Sequence, residues 1–191
     1  MAGRRHRGAG GQEPPAPGPA SEDAEPDHEQ VARAIALRLL THSARSRAQL
    51  AGAMAARDVP AEVADAVLDR FTEVGLIDDE EYARMLVRTR HAERGLSRRA
   101  IGVELRRRGI DDEVAASALD EVDDEQEAQA ARSLVRRRLA STRGLDPQVR
   151  ARRTFAALGR KGYPPGLVSR LVREELATEG ADVEDDDLPA D

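Results

Sequence analysis

The 191-residue sequence contains no cysteine and no tryptophan, and only two tyrosines and two phenylalanines. Without cysteine there is no disulfide framework, no thiol nucleophile and no thiolate metal site, so a reducing cytoplasm is the expected compartment. The shortage of aromatic side chains leaves Leu, Val, Ile and Ala to form the core, which favours helical packing over a β-sandwich or barrel. Since no apolar run approaches the length of a bilayer span, we expect no membrane association.

Acidic and basic residues are segregated along the chain, and the net charge of −6 conceals this. Residues 84–108 contain nine arginines and two glutamates, whereas residues 111–127 carry acids and no base. Residues 132–161 are again basic, and the chain after Arg173 is acidic. Because local fields decide which partners bind, the two basic stretches are candidate surfaces for an anionic partner.

Apolar residues recur at helical spacing over most of the chain between residues 28 and 178. Glycine and proline interrupt this pattern at intervals that predict about nine helices and an all-α fold. The segments 1–27 and 179–191 lack a periodic apolar pattern and are rich in charge. Such segments bury too little apolar surface to offset the entropy of ordering, so we expect two disordered tails.

The predicted helices form three similar groups. Around the end of the second helix of each group, three segments align without a gap: MAARDVPAEVADAVL from Met54, LRRRGIDDEVAASAL from Leu105 and LGRKGYPPGLVSRLV from Leu158. Each has a cation, then a turn residue, then an apolar residue. Glycine at the turn suits a left-handed helix end, although the first segment has Asp58 there.

The repeat period of about fifty residues divides the chain into three-helix units at residues 28–77, 78–123 and 124–178. A unit of this size buries its apolar face poorly when alone. We therefore expect neighbouring units to stack into an elongated, curved, solenoid-like body of right-handed type. Repetition that serves stability alone is an open alternative, because a repeat does not specify a ligand.

The central stretch, GLIDDEEYARMLVRTR followed by RGLSRRAIGVELRRRGI, resembles the RecX family of recombinase regulators. The likeness covers residues 29–176, with a weaker copy on each side of the central unit. It implies three tandem three-helix repeats that bind the RecA filament along its groove and inhibit strand exchange, ATPase and coprotease activity, with effects on DNA repair and the SOS response. It also implies no cofactor and no catalytic centre. Two residues depart from the repeat, Asp58 at the first turn and Thr154 where Leu50 and Ile101 stand in the other units.

The sequence also argues against an enzyme on its own terms. The four histidines are scattered, and no HExxH, GxSxG, Walker-type or zinc-spaced pattern occurs. Residues 78–81 are four consecutive acids, but consecutive side chains on a helix point in different directions, which favours a helix-capping role over metal binding. Tyr82 and Tyr163 could anchor a partner, yet their apolar neighbours at helical spacing favour core packing.

The basic cluster in the central unit is the main candidate for partner binding, because planar guanidinium groups suit both phosphates and acidic protein surfaces. With no aromatic residues interleaved, base stacking is not expected, and contact with single- or double-stranded DNA would be weak, nonspecific and sensitive to salt. Arg99 and Arg106, seven residues apart, are the preferred contacts, whereas Arg108 also has a helix-terminating role. The full candidate set is Arg84, Arg88, Arg98, Arg99, Arg106, Arg107, Arg108, Arg132, Arg136, Arg152, Arg153 and Lys161.

Two other functions remain open at this stage. A nonspecific DNA-binding helical-repeat module would use the same arginines without touching a recombinase, and an interaction scaffold would use the acidic faces instead. We expect the protein to be a monomer.

Overall fold

The structure, a computed structural model, describes residues 27–180. Within that range every regular element is an α-helix, so the predicted all-α class is confirmed. None of these described helices is long and apolar enough to cross a bilayer. In chain order the helices are α1 His28–His42, α2 Arg47–Ala55, α3 Ala61–Glu73, α4 Asp79–Arg94, α5 Arg98–Arg107, α6 Asp112–Leu119, α7 Asp124–Ala140, α8 Pro147–Gly159 and α9 Pro165–Thr178. The predicted disorder of the two tails falls outside the described residues, apart from positions 27, 179 and 180.

Short-range signals in the sequence explain where the second helices of the first two units begin. The Ser46 hydroxyl accepts a hydrogen bond from the Gln49 amide, and Gln49 Oε1 accepts one from the Ser46 amide, which makes a reciprocal capping box at α2. Ser97 caps α5 through the Ala100 amide. Each contact satisfies an amide that has no partner inside the first helical turn, as the sequence predicts.

The helices pack in three groups, α1–α3, α4–α6 and α7–α9, each around its own hydrophobic core. The extensive helix–helix contacts in the described chain all lie within one of these groups. Met54, Leu105 and Leu158, which the repeat alignment equates, are fully buried in the three cores. Each such residue contributes about 1.5–3 kcal/mol by its removal from water. The tandem three-helix organisation is therefore confirmed, while the curvature and hand of the array remain predictions.

The aligned turn at the end of each second helix has the same backbone conformation in all three units. Asp58, Gly109 and Gly162 have φ angles of 57°, 72° and 87°. In each unit the amide of the next residue donates to the carbonyl of the residue five positions earlier, for example from Ile110 to Leu105 at 3.2 Å. This is the Schellman type of helix end, and it forms with aspartate as well as with glycine.

The first junction between units is built on that turn. The Ser46 hydroxyl donates to the Arg108 carbonyl at 2.6 Å, immediately before Gly109. The Arg47 amide, at the N-terminus of α2, donates to Asp79 Oδ1 at 2.9 Å, so a carboxylate from the second unit lies at the positive end of a helix dipole. A Cβ atom on Gly109 would lie 2.3 Å from the Ala48 Cβ. The glycine thus permits the close approach of the preceding unit.

The second junction repeats this arrangement. The Ser97 amide donates to the Lys161 carbonyl at 3.0 Å, and the Arg98 amide donates to Glu127 Oε1 at 2.8 Å. A Cβ atom on Gly162 would lie 2.6 Å from the Ser97 hydroxyl. Asp58 belongs to the first unit, which has no described unit before it, and this explains why a side chain is accommodated there.

Two apolar residues that the helical pattern assigns to packed faces are instead at the surface. Val74 is 64% exposed because it follows the last turn of α3, as its C-cap. Met85 is 36% exposed and lines a shallow groove beside the first junction, together with Leu76. Helical spacing of apolar residues alone therefore does not place Val74 and Met85 in a core.

Candidate partner-binding surface

The basic residues on the first helix of the central unit are held by acids of the same chain. Arg84 Nε lies 3.2 Å from Glu81 Oε2, and Arg88 Nη2 lies 2.8 Å from Glu81 Oε1. The hydrogen bond from Arg88 is the main reason that the pKa of Glu81 is below its ordinary value. These pairs are solvent-exposed, and such pairs contribute little to stability. Both guanidinium groups can therefore exchange Glu81 for another anion at small cost.

Arg98, at the start of α5, is tied to the acidic stretch that follows it. Its guanidinium lies 2.9 Å from Asp124 Oδ1 and 3.2 Å from Asp120 Oδ1, while its amide bonds to Glu127. The arginine thus joins the second unit to the start of the third.

Arg108 belongs to a partly buried network. Its Nη2 lies 2.6 Å from Glu104 Oε1, and its Nη1 donates to the Tyr82 hydroxyl, whose ring the guanidinium also overlies. Arg90 donates to both oxygens of Glu104, at 2.9 Å for its closest contacts. The bond from Arg90 is the largest cause that holds the pKa of Glu104 below its ordinary value. The Tyr82 hydroxyl in turn donates to Gln49 of the first unit, so this network is also part of the junction.

The predicted contacts on α7 are engaged with α9. Arg136 Nε lies 2.8 Å from Glu175 Oε2, and Arg132 pairs with both Glu175 and Glu174. The Glu175 side chain is only 9% exposed, so removing either arginine would weaken the compensation of a buried charge. Lys161 occupies the second junction, where its amino group donates to the Arg94 carbonyl.

The remaining five candidates are exposed and form no ion pair with any residue in the described range. They lie on the second helices of the central and third units, which the repeat relates to each other. No partner within residues 27–180 competes for them, so an external anion meets no internal bond that must first break. These residues are Arg99 in the first turn of α5, Arg106 and Arg107 in its last turn, and Arg152 and Arg153 on α8.

The structure adds basic residues that the sequence reasoning did not single out. Arg137, Arg138 and Arg160 line a groove of about 460 Å³ between α7 and α8, with Leu134 and Leu158 among its apolar lining residues. The run of three consecutive arginines at 136–138 was the available sequence signal. Because consecutive helical residues point in different directions, that run alone does not reveal that two of them share a groove with Arg160.

The acidic and aromatic residues at the start of α4 have structural roles. Asp78 caps α4 through the Glu81 amide, and Asp79 accepts the Arg47 amide, as described above. Within residues 27–180 no group of three or more potential ligands is arranged for a metal ion. Tyr82 and Tyr163 are 5% and 3% exposed, so the prediction that they pack in the core is confirmed.

Comparison with known proteins places this architecture in a family. Three models match in order: the first, second and third three-helix domains of RecX, at residues 32–71, 78–119 and 124–172. The chain is 51% identical over 178 residues to the regulatory protein RecX of Thermobifida fusca (strain YX), covering 93% of this chain and 95% of that protein. The chain belongs to the RecX family.

Other RecX proteins support the same assignment. The regulatory protein RecX of Streptomyces lividans is 48% identical over 166 residues, which cover 86% of this chain and 88% of that protein. The crystal structure of RecX from Lactobacillus salivarius superposes with a TM-score of 0.69 at 20% identity, over 80% of this chain and 98% of that one. A second crystal structure, of a regulatory protein RecX, gives a TM-score of 0.67 at 23% identity, over 76% and 73%. The fold is therefore that of RecX, and the family is one of regulatory proteins.

Proposed function

We propose that this chain binds the groove of the RecA nucleoprotein filament and inhibits the recombinase, ATPase and coprotease activities of RecA, and so modulates DNA repair and the SOS response. Membership of a family of regulatory proteins supports a regulatory role. The observation that carries the proposal is a set of exposed arginines on α5 of the central unit, Arg99, Arg106 and Arg107, which form no ion pair with any of residues 27–180.

Electrostatics and repetition both favour a filamentous anionic partner. A guanidinium group binds carboxylates and phosphates with two hydrogen bonds, so acidic RecA surfaces and DNA phosphates are suitable acceptors. Stacked units present their second helices one after another, which lets a second contact form at high effective concentration once a first has formed. In this proposal the protein acts as a cytoplasmic monomer, without cofactor or catalysis, and its DNA contacts are weak and nonspecific.

The test is RecA-dependent ATP hydrolysis and strand exchange with this protein added below the RecA concentration. We expect both activities to fall, and we expect a variant with Arg99, Arg106 and Arg107 all changed to Glu to inhibit at least tenfold less. A matched control changes Arg38, Arg57 and Arg70 of the first unit to Glu, which are also exposed, and keeps the inhibition. If the unaltered protein leaves both activities unchanged, the proposal is refuted.

The rival function, a DNA-binding helical-repeat module without recombinase contact, uses the same arginines and is separated by a second comparison. Binding is measured to bare RecA and to RecA on single-stranded DNA, and inhibition is measured on an unrelated DNA-dependent ATPase. A pure DNA binder would inhibit both ATPases equally and would ignore bare RecA. Its affinity would also fall steeply with salt, by a logarithmic slope of about 0.7–0.9 per phosphate contact.

A further inference from the structure

The groove between α7 and α8 concentrates unpaired positive charge around an apolar floor. Arg137, Arg138 and Arg160 line it, and a second, adjoining groove of about 330 Å³ shares Arg138 and Arg160 and adds Arg153. None of these four arginines pairs with an acid among residues 27–180, and neither groove has an acidic lining residue in that range. Other arginines of α4 and α7, such as Arg88 and Arg132, have carboxylate partners. The groove arginines do not, so this site is chemically suited to an acidic segment that also carries apolar side chains.

The described chain ends close to this site. Glu179 Oε2 lies 2.7 Å from Arg150 Nη2, which donates to the Leu139 carbonyl at 3.0 Å. The Thr142 hydroxyl donates to the same carbonyl at 3.2 Å, and Thr142 lines the adjoining groove. Three consecutive contacts of 2.7, 3.0 and 3.2 Å therefore place the Glu179 carboxylate within about 9 Å of a groove residue.

The eleven residues that follow, ADVEDDDLPAD, match the groove in chemistry and in reach. They contain six acids, no base, and the two larger apolar residues Val183 and Leu188. An extended chain spans about 3.3 Å per residue, so these residues can reach about 36 Å, several times the distance required. We propose that residues 181–191 dock in cis into the α7–α8 groove, with carboxylates on its arginines and an apolar side chain against Leu134.

Tethering makes such docking effective even though each ion pair is weak. An exposed pair contributes about 0–1 kcal/mol, but a short linker holds its ligand at an effective concentration of about a millimolar. Salt screens these contacts, because the Debye length shortens from about 10 Å at 0.1 M to about 3 Å at 1 M. The docked segment also covers Arg153, one of the candidate contacts. Docking therefore limits the access of an external polyanion to Arg153. Only this consequence rests on the proposed function.

Docking is tested on the full chain by paramagnetic relaxation enhancement. The natural sequence has no cysteine, so Ala190→Cys supplies a single site for a nitroxide label without changing charge. At about 0.1 M salt we expect broadening of the amide signals around Arg138 and Ala156, independent of protein concentration, and we expect its loss at about 1 M salt. The variant with Arg137, Arg138 and Arg160 changed to Glu should lose the broadening.

In the matched control Arg99, Arg106 and Arg107 are changed to Glu, which alters the net charge by the same amount. This variant should keep the broadening around Arg138 and Ala156. Docking in cis would be overturned if no broadening were seen, or if the signals around Arg99 were broadened equally. It would also be overturned if the broadening grew with protein concentration, because that would indicate contact with a second copy. The experiment contains neither RecA nor DNA, so its failure leaves the proposed function standing, and a failure to inhibit RecA leaves the docking standing.

The predicted competition has its own readout, the anisotropy of a fluorescent oligothymidine. Deleting residues 181–191 should raise oligonucleotide affinity about three- to tenfold, the range for releasing a weak tethered competitor at millimolar effective concentration. The same deletion in the groove variant should have no effect. Unchanged affinity after deletion from the natural chain would refute the competition.

Discussion

Replacing Gly109 by alanine tests the junction between the first two units. Gly109 has a φ of 72°, and a Cβ there would lie 2.3 Å from the Ala48 Cβ, which is fixed to the backbone of α2. The methyl groups can separate only if the units move apart. Ordinary contact begins at about 3.4 Å, so the required movement is about 1 Å or more. The Ser46–Arg108 hydrogen bond crosses the same junction at 2.6 Å and would lengthen with it.

The expected loss of stability has two separable parts. A left-handed conformation costs a residue with a Cβ about 1–2 kcal/mol, of which about 0.4–1 kcal/mol is returned because alanine restricts the unfolded chain. Forced overpacking adds about 1–3 kcal/mol, and a broken junction hydrogen bond adds about 1 kcal/mol. The Gly109→Ala variant should therefore lose about 2–5 kcal/mol.

Gly75→Ala is the matched control. Gly75 also has a φ of 72°, but a Cβ there would meet no described atom within 4 Å, so this variant should lose only the backbone part, about 1 kcal/mol. Urea denaturation followed by far-ultraviolet circular dichroism measures both variants. Adding Ala48→Gly to Gly109→Ala removes the opposing methyl group and should recover part of the loss, a coupling that a double-mutant cycle isolates. If Gly109→Ala were no more destabilising than Gly75→Ala, the close-approach explanation would be refuted.

Three further predictions concern single side chains. Arg90 holds the pKa of Glu104 below its ordinary value of 4.5, so the ionised Glu104 stabilises the fold above that pH, and this stabilisation is lost as the pH falls through the folded-state pKa. Urea denaturation at several pH values should show that Glu104→Gln is less stable than the natural chain at pH 7. The difference should shrink below about pH 4.5. Thr154 is fully buried and its hydroxyl has no partner among the described residues, so Thr154→Val should raise the unfolding free energy by about 1 kcal/mol in the same urea assay, and a loss would contradict this. Burial raises the pKa of Tyr163 to about 12, so ultraviolet titration should show this phenol ionising well after a free tyrosine, with stability lost as the pH rises from about 10 through 12.

The repeat alignment predicts the backbone conformation of the turns, but it does not explain why glycine is required at Gly109. The cation, turn and apolar pattern correctly indicates a left-handed helix end at Gly109 and Gly162, because the hydrogen bonds of that motif join residues five apart. Asp58 has the same conformation without a glycine. Glycine is required at Gly109 because the Ala48 methyl group lies too close to where a Cβ would be. Ala48 is sixty-one positions away in the sequence, so no local sequence pattern indicates that the two residues are close in space.

The arginines show the same division. In the sequence, Arg98, Arg99 and Arg108 belong to one basic cluster, and no local pattern shows which of them pairs with an acid. In the structure Arg98 and Arg108 are held by acids and by Tyr82, whereas Arg99 is exposed and pairs with no described residue. The preference for Arg99 and Arg106 as contacts remains a prediction, although the loss of Arg108 to an internal network agrees with the expectation that its position is partly structural.

The sequence by itself determined the helical class, the three-fold repetition and the capped ends of the helices, since these depend on residues within a few positions of one another. Only the tertiary structure decided which charges are free and how the units meet. Glu104 lies close to Arg90 in space although fourteen residues separate them, and Arg153 and Arg138 line one groove from different helices. Ion pairing and close approach depend on distances in space, and packing sets those distances only after the local elements have formed.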